Sequence, residues 1–182
     1  SARGGNDIII WPWRHYKNIG GIFVDAGVHA VDQMMYYLGD IEEVFAVSKI
    51  WEPKRYKGEK IGVANFYEHW ANEVPDEIEA TAEDMVISTL KFKNGTIGQW
   101  TSFWAAHGEP IQYGMIYGSK GSMEPAKQRR GDPLTLTIDG VGKVSGDDVL
   151  ELVPDFHLDE LPARLFGAER LGSYDTPFED AD

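Results

Sequence analysis

The sequence contains no cysteine, so disulfide bonds, thiolate catalysis and cysteine-ligated zinc are all excluded. A reducing, cytoplasmic compartment is compatible with this composition. No apolar run approaches the roughly 20 residues that a membrane-spanning helix needs, and the first residues show no secretory signal pattern. The chain also lacks an initiator methionine, so we expect it to be part of a longer protein.

Basic residues are scarce as well. The 17 Lys and Arg stand against 30 Asp and Glu, which gives a net charge of −13 over 182 residues. Nucleic-acid phosphates and anionic membrane surfaces both attract a basic surface, so we expect neither as a partner. The length fits one domain, and a hydrophobic content of 42% with 26% charged residues is typical of a globular protein.

The sequence also lacks a dinucleotide-binding motif. No Gly-x-Gly-x-x-Gly stretch opens a strand–turn–helix unit anywhere in the chain. That turn and the helix behind it hold the pyrophosphate of a dinucleotide, so we expect no NAD or NADP to bind this chain by itself. Gly118–Gly121 contains glycine and lysine, but it lies between two predicted strands and is predicted to be a turn.

Apolar periodicity predicts one clear helix, over residues 22–38. Apolar residues recur there at spacings of four, three, four and three, and form one stripe that we expect to be buried: Val24, Val28, Val31, Met35 and Leu38. Gly39 is placed to end the helix, because glycine readily takes the left-handed conformation of a helix C-terminus.

Strands are predicted over much of the remaining chain. They are Ile8–Ile10, Val44–Trp51, Met85–Phe92, Ile97–Trp104, Ile111–Tyr117 and Leu134–Ile138. Asn94-Gly95 indicates a hairpin with a type I′ turn, in which both central residues have positive φ. Val63–Trp70 is compatible with a short helix.

These elements predict an α+β fold, with a largely antiparallel open sheet and helical structure packed on one face. We expect this domain to cover residues 1–153. Residues 154–182 lose the pattern, and Pro154, Pro162 and Pro177 break regular structure there. We therefore expect an irregular, acidic tail. The apolar residues that alternate on the strands also favour self-association through the open face of the sheet.

A second stripe on the predicted helix carries polar side chains: Asp25, His29, Asp32 and Tyr36. Each follows one apolar stripe member by one residue, about 100° around the helix, so the polar stripe borders the apolar one. Asp25 and His29 stand at i and i+4 and are expected to be neighbours. A carboxylate beside an imidazole orients the ring for proton transfer. The same spacing also occurs in simple surface pairs.

Other candidate residues precede the helix or follow it. Trp13 and Arg14 lie in a loop where they can bind a substrate, and a solvated arginine is the alternative for Arg14. His69 and His107 are lone histidines and are expected to be structural. An alternative is a divalent-ion site formed by His29, Asp25 and Asp32. Such a site would indicate a hydrolase or isomerase. No second histidine stands one turn away, so we expect no metal.

An ordered set of motifs resembles the Gfo/Idh/MocA family, which includes glucose–fructose oxidoreductase and inositol dehydrogenase. Gly20-Gly21 is followed by Asp-x-Gly-x-His-x-x-Asp over residues 25–32, and Tyr37-Leu38-Gly39 ends the helix. Further matching segments are Glu83-Asp84, Phe92–Gly98 and Tyr117–Ser122. The resemblance covers residues 11–125 and corresponds to the family's C-terminal domain.

The resemblance implies an NAD(P)-dependent oxidoreductase that acts on a sugar, a cyclic polyol or a related hydroxy compound. His29 would be the general acid/base and Asp25 would assist it, with Arg14, Trp13 and Asp32 as substrate-binding candidates. The family's nucleotide-binding domain and its Glu-Lys-Pro lysine are missing, since Glu59-Lys60 is followed by Ile61. Family members commonly oligomerise through the sheet. The alternative is a binding or oligomerisation module without catalysis.

Overall fold

The computed structural model describes residues 1–58, 72–125 and 134–166. The chain divides into two units, Ser1–Ile111 and Gln112–Asp182, each of which is described by itself. The domain boundary that the sequence suggested after residue 153 stays a prediction. The short helix considered near Val63–Trp70 lies outside the described residues.

The first unit contains helices on one side of a four-stranded sheet. Two short 3-10 helices, Pro12–His15 and Lys17–Ile19, precede the α-helices. The further elements, in chain order, are β1 (Ala2–Gly4), α1 (Gly21–Asp25), α2 (Gly27–Leu38), β2 (Ile41–Lys49), β3 (Lys54–Tyr56), β4 (Glu77–Glu79), β5 (Met85–Phe92) and β6 (Ile97–Ala106).

The sheet has the strand order β1-β6-β5-β2, and β3 with β4 forms a separate two-stranded ribbon. β2, β5 and β6 are antiparallel, while β1 runs parallel to β6. The register between β2 and β5 shifts between Ile41 and Glu43. The predicted α+β architecture with a largely antiparallel sheet is therefore confirmed.

Alternation along β5 separates a buried face from an open one. Val86, Ser88, Leu90 and Phe92 are buried, whereas the residues between them are exposed. Ser88 pairs with Trp100 of β6, so both lie on the buried face. The helices pack there, because the Trp100 ring meets Phe23 edge-on at 6.1 Å and the Trp100 side chain lies against Gly27.

The open face carries large apolar side chains on three neighbouring strands. The residues are Phe45 and Val47 on β2, Ile87 on β5 and Ile97 on β6, and each is more than half exposed. Val47 pairs with Ile87 across the ladder, so these two belong to one patch. We call these four residues the open-face patch.

The apolar stripe on the helix was predicted to be buried, and this prediction is wrong. Val24, Val28 and Met35 are exposed, at 66%, 53% and 41%. Gly21, Ile22 and Gly27 are the buried residues instead. The reason is packing: small residues let the helix approach the bulky Trp100, so the branched side chains turn outward. The helix is also interrupted at Ala26, between α1 and α2.

The strand predicted over Ile8–Ile10 is not formed. Ile8 is buried in a small core with Val74 and Ile78, but Ile10 has a φ of 61°. A branched residue with positive φ cannot continue an extended strand. The chain turns at this point into the first 3-10 helix.

The hairpin predicted at Asn94-Gly95 joins β5 to β6, but the turn type differs. Gly95 has a φ of 88°, whereas Asn94 does not have positive φ, which a type I′ turn requires. The N–H of Gly95 donates to the carbonyl of Phe92. The Asn94 side chain meanwhile donates to the carbonyl of Leu38 at 2.8 Å, and so satisfies one free acceptor at the end of α2. Gly39 ends the helix with a positive φ of 82°, but its ψ of −166° lies outside the left-handed helical conformation that was predicted.

The second unit contains an antiparallel sheet of four short strands in the order β10-β9-β8-β7. The elements are β7 (Ile116–Gly118), β8 (Gly121–Glu124), β9 (Thr135–Ile138), β10 (Gly142–Ser145), α3 (Asp148–Glu151) and α4 (Glu160–Phe166). Gly118–Gly121 forms the turn between β7 and β8, as predicted. β7 is shorter than the predicted strand, because Ile111 makes only an isolated bridge to Ala2.

The helix α4 corrects the prediction of irregular structure after residue 153. Pro162 stands in its first turn, where a helical residue has no intrahelical partner for its N–H in any case, so proline is tolerated. None of the helices in the described ranges is long and apolar enough to cross a membrane.

Candidate active site

The loop that precedes α1 is fixed by a buried histidine. Nε2 of His15 accepts the backbone N–H of Ile9 at 2.9 Å. The carbonyl of the same residue accepts the N–H groups of Thr81 at 2.8 Å and Ala82 at 3.0 Å. His15 thus connects the 3-10 helix Pro12–His15 to two separate chain segments, and this helix holds Trp13 and Arg14 in place.

The protonation state of His15 follows from its surroundings. Burial is the main factor that lowers the pKa of His15, to about 4, and the guanidinium groups of Arg55 and Arg14 act in the same direction against Asp84. The ring is therefore neutral near pH 7, and its unprotonated Nε2 is the atom that accepts the bond from Ile9.

Glycine allows α1 to begin close to this loop. Gly21 has a φ of 68°, and a Cβ added to it would lie 2.5 Å from the Cβ of Ala82. Gly20 also has positive φ, at 103°. The absence of a side chain at Gly21 allows this close approach to Ala82 and brings α1 next to the Arg14 loop.

Arg14 and Asp25 form an ion pair between the 3-10 helix and the end of α1. Nη2 of Arg14 lies 2.8 Å from Oδ2 of Asp25, with side-chain exposures of 15% and 25%. The Trp13 ring lies beside the guanidinium, with its centroid 5.4 Å from Cζ. The Nε atom of Arg14 is buried and has no hydrogen-bond partner among the described residues. The structure thus brings together Trp13, Arg14 and Asp25.

His29 and Asp32 lie on the exposed side of α2. Within the described part of the chain, neither side chain has a hydrogen bond or ion pair, and Asp25 bonds to Arg14 and not to His29. The charged guanidinium is the stronger partner for the carboxylate. No hydrogen bond or ion pair joins Asp25 to His29 in the structure, so the predicted pairing is not formed, whereas the catalytic roles stay predictions.

A buried charge pair that the sequence did not reveal lies behind the loop. Nη2 of Arg55 is 2.6 Å from Oδ2 of Asp84, and both side chains are almost completely buried. Arg55 also donates to the carbonyl oxygens of Gly5, Glu52 and Trp104. The only sequence signal was the position of Asp84 directly before an alternating strand.

Asp84 has its own set of hydrogen-bond donors. Its Oδ1 accepts the N–H of Trp51 at 2.7 Å, and its Oδ2 accepts the N–H of Glu52 at 3.0 Å. The two buried charges are therefore matched by each other and by backbone groups. Such a network serves structure and is not itself a site for a ligand.

The remaining candidates have structural partners. Trp11 packs against the small core around Ile8, and Trp51 meets Phe103 edge-on. His107 lies 3.2 Å from Glu52. His69 is outside the described residues. Over ranges 1–58, 72–125 and 134–166, no group of three or more His, Asp or Glu residues is arranged to hold a metal ion.

A dinucleotide does not fit the residues present. The sequence contains no Gly-x-Gly-x-x-Gly turn between a strand and a helix, and Gly20-Gly21 before α1 follows a 3-10 helix and not a strand. A shallow apolar depression of about 510 Å³ exists on the second unit's sheet, and it is lined chiefly by Ile116, Met123, Leu136 and Ile138. It contains none of the predicted site residues.

Comparison with known proteins identifies the family of this chain. The family model of the GFO/IDH/MocA C-terminal domain matches residues 2–124. The chain belongs to the GFO/IDH/MocA family. This match confirms the resemblance seen in the residues around Gly20–Asp32 and covers the whole first unit. No curated protein sequence matches the chain.

Solved structures of this family resemble the chain over only part of their length. A levoglucosan dehydrogenase in complex with NADH and L-sorbose is 25% identical, with a TM-score of 0.55, and the match covers 79% of this chain and 38% of that one. An NAD binding oxidoreductase from Klebsiella pneumoniae is 20% identical, with a TM-score of 0.56 and coverages of 79% and 36%. An oxidoreductase domain protein from Kribbella flavida is 22% identical, with a TM-score of 0.55 and coverages of 79% and 39%.

Proposed function

We propose that this chain supplies the substrate-binding and catalytic half of an NAD(P)-dependent oxidoreductase that acts on a sugar, a cyclic polyol or a related hydroxy compound. Membership of the GFO/IDH/MocA C-terminal domain family supports the reaction class. Similarity to a levoglucosan dehydrogenase supports the substrate class, since that protein was captured with NADH and L-sorbose. The chain spans about two fifths of that dehydrogenase, so the nucleotide-binding half belongs to another domain.

The observation that carries the proposal is the exposed apolar stripe on α1 and α2. Val24, Val28 and Met35 lie in solvent on the same helical segment that carries Asp25 and His29. Contiguous exposed apolar side chains mark a surface that another domain covers. A nucleotide-binding domain on this stripe would bring its cofactor beside His29, which stands next to Val28.

The proposed chemistry is the removal of two hydrogens from a carbinol. A nicotinamide bound by the other domain would supply the hydride acceptor, and His29 would take the proton from the hydroxyl as the carbinol becomes a carbonyl. His29 is exposed and thus open to a substrate. Trp13 offers an aromatic face to the sugar ring, and Asp32 offers a carboxylate to its hydroxyl groups. Asp25 assists from the end of α1.

A second candidate function is self-association without catalysis. The open-face patch favours it, because four large apolar side chains on three adjacent strands are exposed. Self-association by itself does not decide between the two, since one face of the sheet could bind a second copy whether or not the helices on the other face serve a substrate. A measurement of catalysis by the complete protein distinguishes the two candidate functions.

The test is steady-state kinetics of the complete protein with a panel of pyranoses and cyclic polyols. His29→Ala should lower turnover by about 10²–10⁴-fold, the usual effect of losing a general acid/base, and should change KM much less. His107→Ala is the matched control, because His107 is also exposed and pairs only with Glu52 at the surface. Turnover of His29→Ala equal to that of the control would refute the catalytic proposal.

A further inference from the structure

The guanidinium of Arg14 is fixed before any substrate arrives. Its turn is tied down through His15, which bonds to Ile9, Thr81 and Ala82. The side chain itself is only 15% exposed. An arginine held in this way has lost its rotamer freedom at folding, so it can direct a partner without further ordering.

The guanidinium of Arg14 contacts a carboxylate and does not face open solvent. Nη2 of Arg14 lies 2.8 Å from Oδ2 of Asp25. The other carboxylate oxygen, Oδ1, has no hydrogen-bond partner among the described residues. One oxygen of Asp25 is thus held in place by Arg14, while the second remains available to the His29 ring or to a substrate hydroxyl.

We propose that Arg14 is a positioning residue for Asp25, and does not itself bind the substrate. The inference rests on the proposed oxidoreductase function and deepens it. Arg14 holds the carboxylate at the end of α1 in one orientation and keeps a compensating positive charge next to it. Its effect on the reaction passes through Asp25, and this distinguishes it from a residue that contacts the substrate directly.

A double-mutant cycle in the complete protein tests this distinction. Arg14→Met should lower kcat by about tenfold, within the range for residues coupled in one ion pair, and should leave KM within about twofold. In an Asp25→Asn background, where the carboxylate is already absent, Arg14→Met should change kcat by less than about twofold. Arg14→Lys keeps the charge and should recover part of kcat.

Two controls secure the result. Lys17→Met removes a cation from the same loop, where Lys17 pairs with Glu83 at the surface, and should leave kcat unchanged. The double variant Arg14→Met/Asp25→Asn leaves no uncompensated charge behind, so it folds even where Arg14→Met alone loses stability. Thermal melts of every variant accompany the kinetics.

The outcomes separate this inference from the proposed function. Effects of Arg14→Met and Asp25→Asn that multiply, or a rise in KM with kcat unchanged, would overturn the positioning role. His29→Ala with wild-type turnover would overturn the proposed function, and the inference with it. A deficit in His29→Ala together with independent effects at Arg14 and Asp25 would overturn the inference alone.

Discussion

The guanidinium of Arg55 donates to the carboxylate of Asp84 across 2.6 Å in the interior of the first unit. Arg55 reaches the carbonyl oxygens of Gly5 and Trp104, and Asp84 accepts the N–H groups of Trp51 and Glu52. The pair therefore joins the N-terminal segment, the ribbon and the last strand of the large sheet. The pair stabilises the fold only when both charges are present, because either charge alone would be buried without compensation.

Removing one member of this pair should destabilise the chain severely. Asp84→Asn leaves the Arg55 cation buried without an anion, and we expect the free energy of unfolding to fall by about 3–5 kcal/mol. Lys54→Met is the control, because it breaks the exposed pair with Glu77 and should leave the free energy of unfolding almost unchanged. Urea denaturation of the isolated chain measures both values. Equal losses in the two variants would contradict the role assigned to the buried pair.

His15 should make the stability of the chain sensitive to acid. Burial lowers the pKa of His15 from 6.5 to about 4, so between these values the unfolded chain binds a proton that the folded chain rejects. Stability is then fully present above about pH 6.5 and falls as the pH drops towards 4, by up to about 3 kcal/mol. His15→Gln should flatten this dependence when unfolding is followed from pH 7 to pH 4. His107→Gln should not flatten it, and a slope in His15→Gln identical to the wild type would argue against the assignment.

Two glycines with positive φ should differ in their tolerance of a methyl group. Gly95→Ala places its Cβ in open space at a φ of 88°, so we expect only the backbone strain, about 1–2 kcal/mol. Gly21→Ala adds an overlap with the Cβ of Ala82 to that strain, and should cost about 1–3 kcal/mol more. Thermal melts compare the two variants. Equal melting temperatures would mean that α1 can move away from Ala82 freely.

The open-face patch should mediate self-association. We expect the chain to form dimers or larger assemblies at micromolar concentration, because Phe45, Val47, Ile87 and Ile97 form an apolar surface. Phe45→Glu should give a monomer in sedimentation experiments, with an unchanged circular dichroism spectrum. Val141→Glu, at an exposed apolar site of the second unit, is the matched control and should not alter the assembly. A wild-type monomer would contradict the prediction outright.

Strands that alternate were predictable from the sequence because their two faces differ in burial. The bounds predicted for Met85–Phe92 are those observed, since every second residue is buried. The helix was located correctly, but its buried face was not. Periodicity reports that an apolar stripe exists; it does not report whether the stripe meets the chain's own sheet or another domain. The small side chain at Gly27, which faces Trp100, gave no hydrophobic signal at all.

The sequence predicted several residues of the candidate site, but it did not predict which of them form ion pairs. Asp25 and Arg14 were both singled out, but helical spacing favoured His29 as the partner of Asp25. The pairing with Arg14 depends on a loop that His15 holds in place, and no local pattern encodes it. Arg55 shows the same limit, since its partners come from three distant segments that only the folded chain brings together.

The edge strand β2 determines what kind of assembly the sheet can build. Its register shifts between Ile41 and Glu43, and this end of the edge is charged, with Glu42 paired to Lys91 at 3.0 Å and Glu43 exposed. An irregular, charged edge resists the addition of a further strand at β2. Contact through the flat face uses the same patch on both partners and closes after a fixed number of copies. We therefore expect the chain to associate face to face in finite, symmetric assemblies and not by strand addition at β2.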